Sequence, residues 1–217
     1  SLALNFSGAS ASSSEVRGLA VVRFDQGIQV DDASSVLIAG NWIGLDVDGI
    51  ARGMTFEGVF VTSQGFGQAR NNIIGALSPA ERNIISGNGK GVFFFPVTAS
   101  YNQVLGNFIG TDATGTLPRG NRFAGVQVQS ATNITIGGES PGAGNVISGS
   151  FGAGSGVNLL GSANVLIQGN RIGTDVTGQY DLGNIGDGIS ALGSTGLRIL
   201  GNQIANNRNC GIRFNNS

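Results

Sequence analysis

The sequence contains no histidine, one lysine, one cysteine and one methionine among 217 residues. Without histidine, the chain cannot build a Ser–His or Cys–His catalytic pair, and the single Cys210 excludes an internal disulfide. Charged residues make up 12% of the chain and the net charge is −1, so no electrostatic footprint for nucleic acid is present. No apolar run approaches the roughly 18 residues of a transmembrane helix, so we expect no membrane span.

Glycine and short apolar runs are abundant instead. The chain has 38 glycines, and 40% of its residues are hydrophobic, many of them valine and isoleucine. This composition is typical of many short β-strands joined by tight turns, because β-branched residues favour strands and glycine permits turn conformations.

One short pattern, glycine followed by valine or isoleucine, recurs along the chain. It begins at residues 27, 58, 91, 125, 156, 188 and 211, with steps of 31, 33, 34, 31, 32 and 23 residues. Each interval contains a second apolar segment, such as Val36/Ile38 or Ile134/Ile136, and then a third segment of the form Asn-x-Ile. Each repeat therefore predicts three short strands and no helix.

Strands this short bury an apolar face only by lying on their counterparts one repeat later. This arrangement predicts an all-β solenoid, a single-stranded parallel β-helix of about seven turns with three short strands per turn, stacked about 4.8 Å apart. The predicted inward positions of the first strand run from Ile28/Val30 to Ile212/Phe214. A two-sheet sandwich is the alternative, with the GNGKG segment at 87–91 as its one good hairpin turn.

A decamer occurs three times, as GNWIGLDVDG at 40–49, GNFIGTDATG at 106–115 and GNRIGTDVTG at 169–178. The extra residues of the longer repeats follow the third strand after these decamers and precede it in the intervening repeats (GALSPAER, GGESPGAG). The decamer thus marks every second turn of a two-turn repeat.

The run EVRGLAVVRF at 15–24, together with NVISG and the decamers, resembles the parallel β-helix repeats of large secreted or surface-exposed bacterial proteins of the pectin-lyase-like superfamily. The resemblance covers residues 15–214 and implies a right-handed coil in a bacterial extracellular or cell-surface protein. It implies no single activity, because that superfamily contains lyases, hydrolases, epimerases, tailspikes and adhesins. We expect one β-helix domain over residues 1–217. Because the chain starts without methionine and stops within a strand pattern, we also expect it to be a fragment of a larger protein.

Six asparagines of the Asn-x-Ile segments recur once per turn, and a stack of their amides would satisfy the polar groups of one corner. We predict a structural asparagine ladder without a ligand, formed by Asn41, Asn83, Asn107, Asn145, Asn170 and Asn202.

The decamer aspartates Asp46, Asp112 and Asp175 lie two turns apart, about 9.6 Å along the axis, so one Ca²⁺ cannot bridge two of them. Each precedes a Thr or Asp at +2 and a glycine at +3, which favours an Asx-type turn. Asp46 and Asp48 remain the candidates for a Ca²⁺ site, and no other cofactor is predicted.

The outward column of the first strand is predicted to contain Gln29, Phe60, Phe93, Gln127, Asn158, Ser190 and Arg213. Phe60 and Phe93 lie in adjacent turns, which predicts an exposed aromatic step for a sugar or a neighbouring domain. Glu57 and Lys90 occupy one slot in adjacent turns, as an exposed ion pair. If Asp31, Asp32 and Glu57 gathered beside Lys90, these four residues would be the catalytic candidates of a polysaccharide lyase.

Two functions follow from these residues. The first is a non-catalytic scaffold or adhesive segment that binds polysaccharide weakly or contacts neighbouring domains of its parent protein. The second is a polysaccharide lyase, hydrolase or epimerase that acts on the first-strand face. End-to-end self-association is a further prediction, because both ends of a solenoid present unpaired strand edges.

Overall fold

The computed structural model describes residues 1–65 and 67–215, and its strands form three parallel sheets that wind around one apolar interior. The first sheet contains β1 (Leu2–Ser7), β4 (Gln26–Asp31), β7 (Glu57–Thr62), β10 (Lys90–Phe95), β13 (Ala124–Gln129), β16 (Ser155–Leu160), β19 (Ile189–Leu192) and β22 (Ile212–Asn215). The second contains β2 (Glu15–Arg17), β5 (Leu37–Ala39), β8 (Ile73–Gly75), β11 (Gln103–Leu105), β14 (Thr135–Gly137), β17 (Leu166–Gln168) and β20 (Arg198–Leu200). The third contains β3 (Ala20–Val21), β6 (Trp42–Ile43), β9 (Ile84–Ile85), β12 (Phe108–Ile109), β15 (Val146–Ile147), β18 (Arg171–Ile172) and β21 (Gln203–Ile204).

Every strand pairs in parallel with the strand one turn before or after it. Val59, for example, lies opposite Ile28 on one side and Val92 on the other. The predicted three-faced parallel β-helix is therefore confirmed, and the sandwich alternative is wrong. The antiparallel bridges in the described residues are isolated ones, one within each decamer loop: Leu45–Ala51, Thr111–Pro118 and Thr174–Asp181.

The interior consists of apolar stripes that follow the coil axis. The first stripe contains Ile28, Val59, Val92, Val126 and Val157, all fully buried. Each such side chain contributes roughly 1.5–3 kcal/mol to folding. The last strand continues the inward columns, with Ile212 opposite Ile189 and Phe214 opposite Ala191, but Ile212 and Phe214 retain 40% and 62% exposure because β22 has a neighbour on one side only.

Glycine precedes the buried residue of the first strand because the turns approach closely there. A Cβ atom on Gly91 would lie 2.4 Å from the carbonyl oxygen of Gly125, in the next turn. A larger residue at this position would push the two turns apart, which explains why the Gly-Val pattern recurs.

The sequence pattern missed the first turn. Leu2–Ser7 forms a full strand that pairs with Gln26–Asp31, followed by a short 3-10 turn at Ala9–Ala11. The alternation of Leu2, Leu4 and Phe6 was its only signal, since no glycine precedes it. A second 3-10 turn, Pro79–Glu81, lies in the insertion before β9.

Candidate ligand-binding face

The outward face of the first sheet carries an aromatic step of three residues, Phe60, Phe93 and Phe95. The rings of Phe60 and Phe93 are stacked, with centroids 5.0 Å apart and planes 8° apart, and the rings of Phe93 and Phe95 are 6.2 Å apart. Phe60 is half-buried and Phe95 is 37% exposed, whereas Phe93 retains only 9% exposure. The expectation that Phe93 would be exposed is therefore wrong, because its neighbours cover it. Phe95 was missed, although its position two residues after Phe93 places it on the same side of the strand.

Amide side chains border this step in the same outward column. Gln29 lies opposite Phe60 on one side, and Gln127 lies opposite Phe93 on the other. Gln127 donates a hydrogen bond from Nε2 to Oε1 of Gln129, at 3.1 Å. The face thus combines apolar ring surface with a few amide groups, a mixture that is common in small-molecule and sugar sites.

Glu57 and Lys90 form an ion pair beside the aromatic step. Lys90 Nζ lies 2.9 Å from Glu57 Oε1 and 4.4 Å from the centre of the Phe93 ring. The other carboxylate oxygen of Glu57 accepts a hydrogen bond from Nε2 of Gln26, at 3.3 Å. The pair was expected to be exposed, but the two side chains retain only 11% (Glu57) and 24% (Lys90) exposure. Lys90 packs on the ring of Phe93, and both charged groups are largely removed from water.

Asp31 and Asp32 do not join this pair. Asp31 lies opposite Thr62, at the end of the strand that Glu57 begins, and this separates Asp31 from Glu57 by about 16 Å. Asp31 accepts a hydrogen bond from the backbone N–H of Gln64, and Asp32 accepts one from Gly65 and another from the Ser63 hydroxyl. Both carboxylates therefore hold the loop after β7, and the four catalytic candidates do not gather in one place.

A second ion pair lies at the far end of the same face. Arg213 donates to both carboxylate oxygens of Asp187, at 2.9 and 3.1 Å, and the backbone N–H of Cys210 donates to the same group. Burial alone would raise the pKa of Asp187, but the hydrogen bonds from Arg213 and Cys210 outweigh burial, so the pKa is lowered. Asp187 lies about 14 Å from Lys90, three turns along the coil.

The three decamer aspartates close their own loops. Asp46 accepts hydrogen bonds from the backbone N–H of Asp48 and Ile50 and pairs with Arg52. The hydrogen bond from Arg52 is the main cause of the lowered pKa of Asp46. Asp112 and Asp175 instead accept from the hydroxyls of Thr114 and Thr177 and from backbone N–H groups four and five residues along.

The contact of Asp48 with Asp46 is the hydrogen bond from its backbone N–H. Across residues 1–65 and 67–215, no group of three or more His, Cys, Asp or Glu side chains is placed to hold a metal ion. Asp46 and Asp48 stay the sequence-based candidates for a Ca²⁺ site, and the effect of calcium on the melting temperature tests them.

The six asparagines of the predicted ladder lie at the corner between the second and third sheets. Each amide from Asn41 to Asn170 donates from Nδ2 to Oδ1 of the asparagine one turn later, at 2.9–3.2 Å. The same oxygen also accepts the backbone N–H of the earlier asparagine, as between Asn107 and Asn145 at 2.9 Å. Every member except Asn202 is buried.

The other two corners contain asparagine contacts that the pattern analysis missed. At the corner before the first sheet, Asn88 binds Asn121, Ser150 binds Asn184, and Asn184 binds Asn207. At the corner after it, the backbone N–H of Asn72 donates to Oδ1 of Asn102, at 2.9 Å. The available signal was an asparagine three or four residues before glycines 91, 125, 188 and 211.

No protein-family model and no curated protein matches this sequence. Among solved structures, the periplasmic alginate epimerase AlgG is similar to it, with a TM-score of 0.58 and 15% sequence identity over 88% of this chain. This chain is a parallel β-helix, as that epimerase is. The match covers 45% of the AlgG chain, so the β-helix described here spans less than half of its length. At this level of identity the likeness concerns the fold alone. In the described part of the chain, no helix has the length and apolarity of a membrane span.

Proposed function

We propose that this chain is a non-catalytic scaffold or adhesive segment of a secreted or surface-exposed bacterial protein, and that it binds glycan weakly on the first sheet. The aromatic step of Phe60, Phe93 and Phe95 carries the proposal. It is an outward apolar patch, stacked across two turns and bordered by the amides of Gln29 and Gln127. The C–H faces of a sugar ring pack on such aromatic surface, and amides bind its hydroxyls.

The charges of this face support binding rather than catalysis. Glu57 is paired with Lys90 and Asp187 with Arg213, and the two carboxylates lie about 19 Å apart along the coil. A glycosidase needs two carboxyl groups about 5–5.5 Å or 6.5–9.5 Å apart. Lys90 and Arg213 each neutralise one of these two carboxylates.

An extracellular or cell-surface location is part of the proposal. It is supported by the periplasmic location in the name of the similar epimerase and by the resemblance of the repeats to secreted bacterial proteins.

Titration with soluble oligosaccharides, followed by calorimetry or by NMR of the Phe60 and Phe95 rings, tests glycan binding. The probes are alginate oligomers, oligogalacturonides and cellohexaose. We expect Phe60→Ala to weaken binding of the recognised probe about 3- to 10-fold, since one aromatic contact contributes roughly 0.5–1.5 kcal/mol. Tyr180→Ala is the matched control, because Tyr180 is 67% exposed in a decamer loop away from this face. Equal affinities for the parent and Phe60→Ala proteins would refute the proposal.

An epimerase or lyase activity on the same face is the second candidate. The shared fold with an alginate epimerase and the position of Lys90 beside the aromatic step favour it over hydrolysis. Incubation with polymannuronate and polygalacturonate in D₂O tests it directly, because epimerisation exchanges a ring proton for deuterium and lyase cleavage creates an unsaturated sugar. Turnover that is lost in Lys90→Ala would replace the scaffold proposal.

A further inference from the structure

A cavity of about 640 Å³ lies on the outside of the coil, over the corner that contains the asparagine ladder. It is separate from the aromatic step, because it opens where the second sheet turns into the third. Phe108, Val146 and Arg171 contribute to its floor, and they follow one another in the outward column of the third sheet. The insertion before β15 and the decamer loop at Val176 form its walls.

The cavity exists because the corner position before each ladder asparagine is glycine at five of six places. These positions are residues 40, 82, 106, 144, 169 and 201, and only Arg82 has a side chain there. Gly144, Gly169 and Gly201 leave their part of the corner bare, and all three line the cavity. The volume falls within the range of about 300–1,000 Å³ that is typical of ligand sites.

Arg82 lines one end of this space and stacks on Phe108. Its guanidinium carbon lies 3.9 Å from the centre of the Phe108 ring. The Nε atom is buried and makes no hydrogen bond, and no salt bridge to Arg82 occurs within residues 1–65 and 67–215. Partial burial lowers the pKa of Arg82. A buried donor without a partner is rare, because it loses its bond to water and gains nothing in return.

A second guanidinium, that of Arg171, lines the same cavity and is exposed to solvent. It also forms no salt bridge with the described residues. The one acidic side chain of the cavity, Glu139, is exposed and accepts a hydrogen bond from Nε2 of Gln168, at 2.7 Å. The cavity therefore carries two cations against one anion.

We propose that this corner cavity binds the oxyanion of a small ligand, a carboxylate, sulfate or phosphate group, through the guanidiniums of Arg82 and Arg171. Guanidinium groups form paired hydrogen bonds with planar and tetrahedral oxyanions. The stack on Phe108 orients Arg82 before the ligand arrives, which reduces the ordering that binding requires. The ligand is either a free inorganic anion or the anionic group of a sugar, and the same two side chains serve both.

The Nε–H signal of Arg82 in a nitrogen-15 NMR spectrum is the direct readout. The protein is titrated with sodium sulfate, with digalacturonate and with neutral maltotriose, at constant ionic strength set with chloride so that screening does not change. We expect sulfate, digalacturonate or both to shift this signal saturably, and maltotriose to leave it unmoved. If only sulfate gives a saturable shift, the ligand is a free inorganic anion. If digalacturonate binds more tightly than sulfate, the ligand is an acidic sugar.

Two variants and one control complete the test. Arg82→Gln and Arg171→Gln should each weaken binding of the sulfate or digalacturonate probe about tenfold, the effect of losing one charge-assisted contact. Arg198→Gln, an exposed arginine of the second sheet outside the cavity, should change affinity less than twofold. Arg171→Gln removes an exposed side chain, so its effect does not depend on any loss of folding in Arg82→Gln.

The proposal is overturned if neither anion shifts the Arg82 signal, if maltotriose binds as well as digalacturonate, or if Arg198→Gln weakens binding as much as the cavity variants. Phe60→Ala serves as a further control. It should leave anion binding at this corner intact, so failure of the glycan-binding proposal and failure of this one are observed separately.

Discussion

Replacing Asn107 with alanine tests the physical basis of the coil, because Asn107 lies in the middle of the asparagine ladder and is fully buried. Its Nδ2 donates to Oδ1 of Asn145 at 3.1 Å and to the carbonyls of Ile74 and Leu105 at 2.9 and 3.0 Å. Its Oδ1 accepts the side-chain Nδ2 of Asn83 at 2.9 Å and the backbone N–H of Asn83 at 3.3 Å.

Alanine removes all of these bonds but leaves the buried backbone N–H of Asn83 in place. That group loses its acceptor, and water has no access to replace it. An unsatisfied buried group costs about 1–3 kcal/mol, so we expect the free energy of unfolding to fall by about that amount. The side-chain Nδ2 of Asn83 keeps its hydrogen bond to the Ile38 carbonyl at 2.8 Å, and this limits the loss.

Urea unfolding measures the change, with the fluorescence of Trp42 and circular dichroism as two probes. Coincident transitions by both probes are required before one free energy is assigned, because solenoid turns contact only their neighbours. Asn5→Ala is the matched control. Asn5 lies exposed on the first sheet, and its loss should change stability by less than about 0.5 kcal/mol.

Asn107→Asp keeps the acceptor oxygen of the Asn107 side chain but removes its NH₂ donor, so it tests the two halves of the amide separately. It retains an oxygen for Asn83 but faces the oxygens of Asn145 and Leu105 with another oxygen, so at neutral pH it should be at least as damaging as alanine. An Asn107→Ala protein that unfolds at the same urea concentration as Asn5→Ala would refute the account of the ladder.

Three further predictions concern the charged groups. Lys90→Met should reduce the free energy of unfolding by about 1–3 kcal/mol, because it leaves the buried carboxylate of Glu57 without its cation. A double-mutant cycle with Glu57→Gln measures the coupling energy, and a zero coupling energy contradicts the pairing. Hydrogen bonds lower the pKa of Asp46 and Asp187, and those to Asp112 and Asp175 outweigh the burial that opposes them. The stability these carboxylates contribute should be complete above the unfolded-state pKa of about 4 and should be lost as pH falls through the lower folded-state values. Urea midpoints against pH should therefore fall below pH 4, and less steeply in Asp175→Asn than in the parent. Millimolar calcium should leave the melting temperature unchanged, because Arg52 and backbone N–H groups occupy the Asp46 carboxylate; a rise that Asp46→Asn removes would establish the metal site.

The fold could be predicted because its signal is repeated. A single Gly-Val or Gly-Ile pair predicts little, but seven of them at steps of 23 to 34 residues define turns, and the alternation within each copy assigns the inward side chains. The first strand, Leu2–Ser7, escaped this reasoning because it lacks the glycine that marks the others. The asparagines at 88, 121, 184 and 207 escaped it because their row is interrupted by Ser150.

The candidate site was predicted in part. The shared slot of Glu57 and Lys90 and the adjacency of Phe60 and Phe93 follow from register alone. The burial of that ion pair and of Phe93 does not, because burial depends on which neighbouring side chains, including Phe95, fold over them. The separation of Asp31 from Glu57 follows from parallel pairing, which places the start of one strand beside the start of the next.

By itself, the sequence determined the coil, its turns and the residues that share each column, because in a repeat protein a residue contacts the residue one period away. The corner cavity and its unpaired Arg82 were decided only in three dimensions. They depend on how insertions from different turns meet over the third sheet, and insertion length does not specify the direction in which a loop folds. The residues that stack on one another can be predicted from the repeat length, whereas the contacts between loops depend on how the loops pack in the folded protein.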